Sequence, residues 1–286
     1  MAFNLQTFKT RSLTAIVFVV VMLAGLFINF YSFLILFSII HFGCWLEYEK
    51  LVGVIDPSYK KISSFHKYGI ILLGWSLMLC ASDNNTLLAS VVAITSIGWW
   101  MLIILIIILP AVDLIHLQPY TFKNLGYSFA GLIYISMSWA LMINLRSRHL
   151  PPLHHDLVIP LILIASIWIN DTMAYIVGSL IGKTPLSPIS PKKTREGTFG
   201  GALLAIVVVT AIGYLAFGLS PVHLIIISAI ATVTGTIGDL LESKLKRLAG
   251  VKDSGEIMPG HGGFLDRFDS LLLATPFVWL YVYFTL

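Results

Sequence analysis

Carboxylates, basic residues and glycines are concentrated in one segment, from Asp239 to Asp269. These 31 positions hold five of the 18 basic and six of the 14 acidic residues in the chain. Asp239, Glu242 and Lys246 recur at helical spacing, so a helix there would carry a polar stripe along one face. Asp266 and Asp269 follow a glycine-rich turn. The pattern predicts a site where an anion or a cation is bound.

Mg²⁺ is one ligand that this pattern favours. Asp239, Asp266 and Asp269 form an all-oxygen set, and Mg²⁺ usually binds one or two carboxylates together with substrate phosphates. The helix dipole disfavours an anion at Asp239, so either a bound cation or the nearby Lys and Arg must compensate. The alternative is a network of surface salt bridges, which the spacing alone leaves open.

The turn Pro259-Gly260-His261-Gly262-Gly263 contains three glycines in five residues. Glycine permits positive φ and lets backbone N–H groups approach a ligand closely. If the next helix begins near Leu265, its dipole favours phosphate. No GK[ST] sequence follows, so this is not a Walker A loop. The turn therefore indicates a phosphate site of another type.

A second polar segment, SPISPKKTREGTFGG, supplies hydroxyls, glycines and the pair Lys192 and Lys193. Such residues can bind a triphosphate or a lipid phosphate, although alone they are more typical of a cytoplasmic topology signal. Upstream, Asn170 and Asp171 fall within an apolar run. An acidic residue there is a functional candidate, and the alternative is a hydrogen bond to a neighbouring helix.

Membrane helices are the elements that must position these residues. The chain of 286 residues is 57% hydrophobic and 11% charged, whereas soluble domains carry about 25% charged residues. An ordinary soluble protein is therefore excluded. A search for runs of about 20 apolar residues gives nine spans. They are roughly Leu13 to Phe30, Phe33 to Leu46, Tyr68 to Ala81, Thr86 to Leu109, Leu125 to Leu145, Leu157 to Leu180, Gly200 to Leu219, Val222 to Asp239 and Ser270 to Tyr283.

The basic residues predict how these spans are oriented. With nine spans and a cytoplasmic N-terminus, 16 of the 18 Lys and Arg lie inside, and only Arg146 and Arg148 lie outside. This is the positive-inside distribution, and shifting one span would reverse the later loops. The predicted fold is an all-α, polytopic membrane bundle of about nine transmembrane helices, with 47–67 as an interfacial connection. We divide it into N-terminal helices (1–85), middle helices (86–156) and a C-terminal catalytic transmembrane domain (157–286).

Other features receive simpler interpretations. The net charge of +4 follows from the same topology rule, and no basic segment carries the interleaved aromatics of a nucleic-acid site. Cys44 and Cys80 lie in apolar runs without CxxC spacing and are expected to be packing residues. Gly178 and Gly182 form a GxxxG pattern that is typical of helix packing.

The stretch from Ser243 to Asp269 closely resembles the signature of phosphatidate cytidylyltransferases, the CDP-diacylglycerol synthases. The matching positions are Ser243, Lys246, Arg247, Lys252, Asp253, Pro259, His261, Gly262, Gly263, Asp266, Arg267 and Asp269. Gly238-Asp239-Leu240, Asn170-Asp171-Thr172, Gly182-Lys183 and Ser190-Pro191-Lys192-Lys193-Thr194 also resemble family elements. The resemblance covers roughly 165–275. Met258, Met173 and Arg195 depart from the usual family residues, which affects local packing around Asp171 and the 190s segment.

The resemblance implies transfer of CMP from CTP to phosphatidic acid by a homodimer that uses a divalent metal. It implies that Asp239 and Asp266 are the chief Mg²⁺ ligands, with Asp269 assisting, and it leaves open a second, monovalent cation. The residues assigned to catalysis are Lys192, Lys193, Lys246, Arg247, His261 and Arg267. Those assigned to binding are Asp171, Ser190, Thr194, Ser243, Lys252, Asp253, Gly262 and Gly263. The expected partners are the two substrates and membrane lipid, without nucleic acid, and the expected location is a bacterial inner membrane with the site facing the cytoplasm.

Two other functions are alternatives for such a membrane protein. A CDP-alcohol phosphotransferase would need the motif DGxxARxxxxxxxxGxxxD, which is absent from the sequence. A transporter of anionic lipids or ions could use the polar sixth and eighth spans. Incubation of a membrane preparation with labelled CTP and phosphatidic acid distinguishes a transporter from the enzyme, because a transporter would release no pyrophosphate.

Overall fold

The structure is a computed structural model that describes residues 5–82, 89–115, 122–147, 157–255 and 262–286. Helices account for nearly all of these residues. They are α1 (Leu5–Phe27), α2 (Phe30–Ile55), α3 (Pro57–Lys60), α4 (Ser64–Cys80), α5 (Ala89–Ile115), α6 (Phe122–Gly131), a π-helical turn (Leu132–Met137), α7 (Ser138–Ser147), α8 (Val158–Ile181), α9 (Arg195–Phe217), α10 (Pro221–Leu248) and α11 (Leu265–Thr285).

Seven helical segments in the described part of the chain are long and apolar enough to cross a membrane. They are Phe30–Ile55, Val92–Ile115, Phe122–Arg146, Val158–Ile181, Arg195–Phe217, Pro221–Leu248 and Leu265–Thr285. Two further segments are shorter, namely the apolar Ile16–Phe27 and the 17-residue helix Ser64–Cys80. Each of the nine predicted spans coincides with one of these segments, so the polytopic helical fold is confirmed. The count of nine and the cytoplasmic N-terminus stay predictions.

Helix α2 is longer than the sequence indicated. Asn29 and Ser32 form a capping box at its start, and the helix continues to Ile55, nine residues beyond the predicted end at Leu46. The prediction that 47–67 is an interfacial connection is therefore wrong for its first nine positions. The polar residues after Leu46 predicted a loop. Glu47 can instead be buried within the helix, because Ser254 and Phe264 donate hydrogen bonds to its carboxylate. The connection itself contains the short helix α3.

A two-stranded hairpin connects α8 to α9. Strands β1 (Pro185–Ser187) and β2 (Ser190–Thr194) pair antiparallel. The sequence predicted only a loop here, because these short polar runs carry no strand periodicity. Thr194 ends β2 and caps α9, since its Oγ1 accepts a hydrogen bond from the Gly197 amide at 3.1 Å. The hairpin thereby fixes the position of the two lysines in β2.

Helices α8 and α9 pack closely through glycine. A Cβ at Gly197 would lie 2.6 Å from the Ala174 carbonyl oxygen and 2.8 Å from the Gly178 Cα. Such contacts require hydrogen in place of a side chain, as is common between membrane helices. This supports the packing interpretation of Gly178. It also brings the polar residues of α8 next to the hairpin.

Candidate active site

Two cavities meet near the end of α10. The larger, of about 490 Å³, is lined by polar groups that include Asp171, Lys192, Lys193, Thr194 and Asp239. The smaller, of about 190 Å³, shares Asp171 and Asp239 with the first. Its other polar lining residues are Asp266, Arg267, Asp269 and Ser270, and its apolar lining residues include Phe18, Met22, Ile164, Ile167 and Trp168. The larger cavity thus combines two lysines with two aspartates and several hydroxyls, whereas the smaller one combines four aspartates and one arginine with an apolar end.

Lys193 and Asp239 form an ion pair where the two cavities meet. The Lys193 Nζ lies 2.8 Å from the Asp239 Oδ2, and both side chains are partly accessible. Asp239 Oδ2 is buried and makes no directed hydrogen bond. Next to it on α8, Asn170 Oδ1 is also buried without a hydrogen-bond partner, while Asn170 Nδ2 donates to Asp171 Oδ1 at 3.3 Å. The Lys193 ammonium is thus the cation beside Asp239, while Asn170 Oδ1 has no hydrogen-bond partner.

Asp266 is the centre of a second polar cluster. Its Oδ1 accepts a hydrogen bond from Lys246 Nζ at 2.6 Å. Its Oδ2 accepts from the Ser254 amide and the Gly263 amide at 2.9 and 2.8 Å, and the Ser254 hydroxyl oxygen lies 2.9 Å from it. Lys246 also pairs with Glu242 at 2.5 Å, one turn earlier on α10. The predicted polar stripe on α10 thus exists, and it faces the first turn of α11.

The end of the glycine turn lies against these carboxylates. Gly262 has φ of +82°, and a Cβ there would lie 2.6 Å from the Asp266 Oδ2, so glycine is required on both grounds. The Gly263 amide donates to Asp266. This differs from the expectation that the Gly263 amide faces a phosphate. Pro259, Gly260 and His261 lie outside the described residues.

The structure collects some of the predicted residues and leaves others apart. Asp171, Lys192, Lys193, Thr194, Asp239, Asp266, Arg267 and Asp269 line the two cavities. Lys246 reaches the site through Asp266. Arg247 is exposed, and its Nη1 donates to the Val251 carbonyl at the end of α10. Ser190, Ser243, Lys252 and Asp253 line neither cavity.

The donor set fits Mg²⁺ that arrives with phosphates. Asp239, Asp266 and Asp269 line one cavity, as predicted, but no three His, Cys, Asp or Glu side chains in the described ranges are grouped closely enough to hold a metal ion. Mg²⁺ requires only one or two carboxylates when phosphates and water complete its shell. The Asn170 Oδ1, which has no hydrogen-bond partner, and the Asp239 Oδ2, which is paired with Lys193, are oxygen ligands of the hard type that Mg²⁺ prefers. The residues therefore fit this ion.

Glu47, Ser254 and Glu242 are the site residues that sequence reasoning did not single out as ligands. Glu47 lies in the N-terminal half, where only hydropathy was used. Ser254 follows Asp253, and nothing in its spacing distinguishes it. Glu242 was recognised as part of the helical stripe, and its burial, with 1% of its surface exposed, marks it as a structural partner of Lys246.

Comparison with known proteins identifies the family to which the chain belongs. The sequence matches the cytidylyltransferase family over residues 9–285, so the chain belongs to that family and is a membrane-embedded nucleotidyltransferase. It is 31% identical over 280 residues to the phosphatidate cytidylyltransferase of Staphylococcus saprophyticus. This alignment covers 94% of this chain and 96% of the relative.

Shorter alignments give higher identity. The chain is 41% identical over 162 residues to the phosphatidate cytidylyltransferase of Bacillus subtilis, covering 56% of this chain and 59% of that protein. It is 37% identical over 171 residues to the enzyme of the same name from Staphylococcus haemolyticus, covering 59% of this chain and 63% of that protein.

Proposed function

We propose that the protein transfers CMP from CTP to phosphatidic acid, giving CDP-diacylglycerol and pyrophosphate for phospholipid biosynthesis. Family membership and the names of the relatives, which are phosphatidate cytidylyltransferases, support this reaction. The structural observation that carries it is the meeting of two chemically different cavities at Asp171 and Asp239. A reaction between a soluble polyanion and a lipid phosphate needs such a pair.

Each substrate matches one cavity. The cavity of about 490 Å³ presents Lys192 and Lys193 together with the hydroxyls of Thr194 and Thr198, which suit a triphosphate. The smaller cavity has Arg267 near its carboxylates and Trp168 among its apolar residues. Arg267 suits the lipid phosphate, and the apolar end suits the first part of an acyl chain. We assign CTP to the first cavity and phosphatidic acid to the second.

The chemistry then requires mainly positioning and charge stabilisation. A phosphate monoester has a second pKa near 6, so the lipid phosphate is already an anionic nucleophile at pH 7 and needs no general base. One of its oxygens attacks the α-phosphorus of CTP, a new P–O bond forms, and the bond to the β-phosphate oxygen breaks. Lys192, Lys193 and Lys246 neutralise the charge that moves onto pyrophosphate.

Asp239 and Asp266, assisted by Asp269, are the residues that would hold Mg²⁺. When bound, the ion would supply further charge stabilisation to the triphosphate. The Lys246 ammonium holds Asp266 in place from α10. We further propose that the protein is a homodimer and lies in a bacterial inner membrane, with its active site facing the cytoplasm. The distribution of Lys and Arg supports that orientation.

Purified protein in mixed micelles tests the reaction. CTP labelled at the α-phosphate is incubated with phosphatidic acid and Mg²⁺, and both labelled lipid and released pyrophosphate are measured. We expect the two products in equal amounts, dependent on both substrates and on Mg²⁺. Absence of both labelled lipid and pyrophosphate in a folded preparation would overturn the proposal.

A further inference from the structure

A buried carboxylate from the N-terminal half contacts the chain just before α11. Glu47 lies on α2 with 5% of its surface exposed. Its Oε1 accepts a hydrogen bond from the Phe264 amide at 2.8 Å, and its Oε2 accepts from the Leu265 amide at 2.9 Å. The Ser254 hydroxyl also donates to Oε2 at 2.6 Å. The Glu47 carboxylate therefore accepts hydrogen bonds from three groups of the chain, each more than 200 positions away in sequence.

Two glycines, Gly255 and Gly263, lie directly against this carboxylate. A Cβ at Gly255 or at Gly263 would collide with the Glu47 carboxylate. One turn earlier on α2, a Cβ at Gly43 would collide with the Phe264 ring. Gly43 and Glu47 thus present one face of α2 to the segment that carries Ser254 and the glycine turn. Close contacts are therefore made both by a glycine of α2 and by glycines of the facing segment.

Glu47 acts as the cap that α11 lacks. Phe264 occupies the N-cap position and provides no side-chain hydrogen bond. The first amides of a helix need acceptors, and a carboxylate there also interacts favourably with the helix dipole. Burial of a charged group is costly unless its hydrogen bonds are satisfied. Glu47 meets that condition because Phe264, Leu265 and Ser254 all donate to it.

The same contacts continue to Asp266. Ser254 Oγ lies within hydrogen-bond distance of both Glu47 Oε2 and Asp266 Oδ2, at 2.6 and 2.9 Å, and the Ser254 amide donates to Asp266. Asp266 sits in the first turn of the helix that Glu47 caps. A shift of Glu47 would therefore move Asp266 by two routes, through Ser254 and through the start of α11.

We infer that Glu47 is a positioning residue of the catalytic site, which sets the place of Asp266 through Ser254 and the α11 amides. This inference rests on the proposed function for the role of Asp266. It makes α2 part of the site although α2 lines neither cavity. Glutamine at position 47 would place an NH₂ group against one of the two helix amides, so two donors would face each other.

The test compares Glu47→Gln with Glu49→Gln, which makes the same change on the same helix two positions away. Loss of an outer-shell partner typically lowers metal affinity or activity about 10–100-fold. We expect Glu47→Gln to lower kcat and to raise the Mg²⁺ concentration for half-maximal rate by such a factor, with the KM for phosphatidic acid unchanged. Glu49→Gln should resemble the unmodified protein.

Hydrogen–deuterium exchange in the metal-free protein gives a readout that does not depend on turnover. The amides of residues 263–265 should exchange faster in Glu47→Gln and at the usual rate in Glu49→Gln. If Glu47→Gln fails to fold, Ser254→Ala carries the test, because it removes the hydroxyl between Glu47 and Asp266 and should also raise the half-saturating Mg²⁺ concentration. Unchanged exchange, or unchanged kcat and Mg²⁺ dependence, would overturn the inference. Absence of CDP-diacylglycerol from the unmodified protein would instead refute the proposed function.

Discussion

Asp266→Asn is the sharpest test of the proposed mechanism, because the structure predicts different effects on folding and on turnover. Asparagine preserves the shape of the side chain. Its carbonyl oxygen can occupy the Oδ2 position and keep the hydrogen bonds from Ser254 and Gly263. Its NH₂ group then faces the Lys246 ammonium, where Oδ1 accepts a hydrogen bond at 2.6 Å. The variant should lose one charge-assisted hydrogen bond.

The energetic cost of that loss is moderate. A hydrogen bond to a charged group contributes about 1.5–3 kcal/mol to stability, and Lys246 keeps its ion pair with Glu242. We therefore expect a folded protein in the membrane with a lower thermal stability. Turnover should fall at least about a hundredfold, because the variant lacks one of the carboxylates proposed to hold Mg²⁺.

The assay is the initial rate of pyrophosphate release in mixed micelles, measured as Mg²⁺ is varied. Asp56→Asn is the matched control. Asp56 pairs with Lys123 at 2.7 Å, and hydrogen bonding to Lys123 lowers the pKa of the Asp56 carboxyl to about 2. The Asp56→Asn variant also loses a Lys–Asp ion pair, but this pair lies away from both cavities. Its rate of pyrophosphate release should therefore equal that of the unmodified protein. Near-normal turnover in Asp266→Asn would refute the assignment of Asp266 to the metal.

Two further substitutions test the walls of the nucleotide cavity. Lys193→Met should lower kcat/KM for CTP about a hundredfold, because one cation that stabilises developing charge is lost. Lys244→Met, on the exposed surface of α10, is the control and should have little effect on the rate of pyrophosphate release. Equal losses of this rate in the two variants would contradict the assignment of Lys193. Gly197→Ala should cost about 1–3 kcal/mol through overpacking against α8, seen as a lower thermal unfolding temperature. Gly126→Ala is its control, since a Cβ there meets nothing within 4 Å; an equally stable Gly197→Ala would show that the two helices can separate freely.

The polar stripe on α10 and the start of α11 at Leu265 could be predicted from sequence, because both follow from local spacing. Helical periodicity placed Asp239, Glu242 and Lys246 on one face, and the structure keeps them there. Apolar run length located the seven long apolar helices of the described residues for the same reason. These features depend on neighbours within a few residues.

Glu47 could not be predicted, because its role depends on contacts between distant parts of the chain. From sequence, a glutamate after an apolar run marks the end of a span. In the structure, the Phe264 and Leu265 amides satisfy its charge, and the helix continues. The hairpin at β1 and β2 was missed for a related reason, since its few polar residues are held by pairing and by the cap at Thr194.

The contact between α2 and the α11 amides has a consequence for exchanging parts between related proteins. Gly43 and Glu47 fit against Gly255, Gly263 and Phe264, so these two regions must change together. A chimera that takes 157–286 from one relative and the preceding helices from another would keep every cavity-lining residue of α8 to α11. It would still combine two surfaces that were not selected to match, and the boundary at residue 157 therefore does not delimit a transplantable catalytic unit.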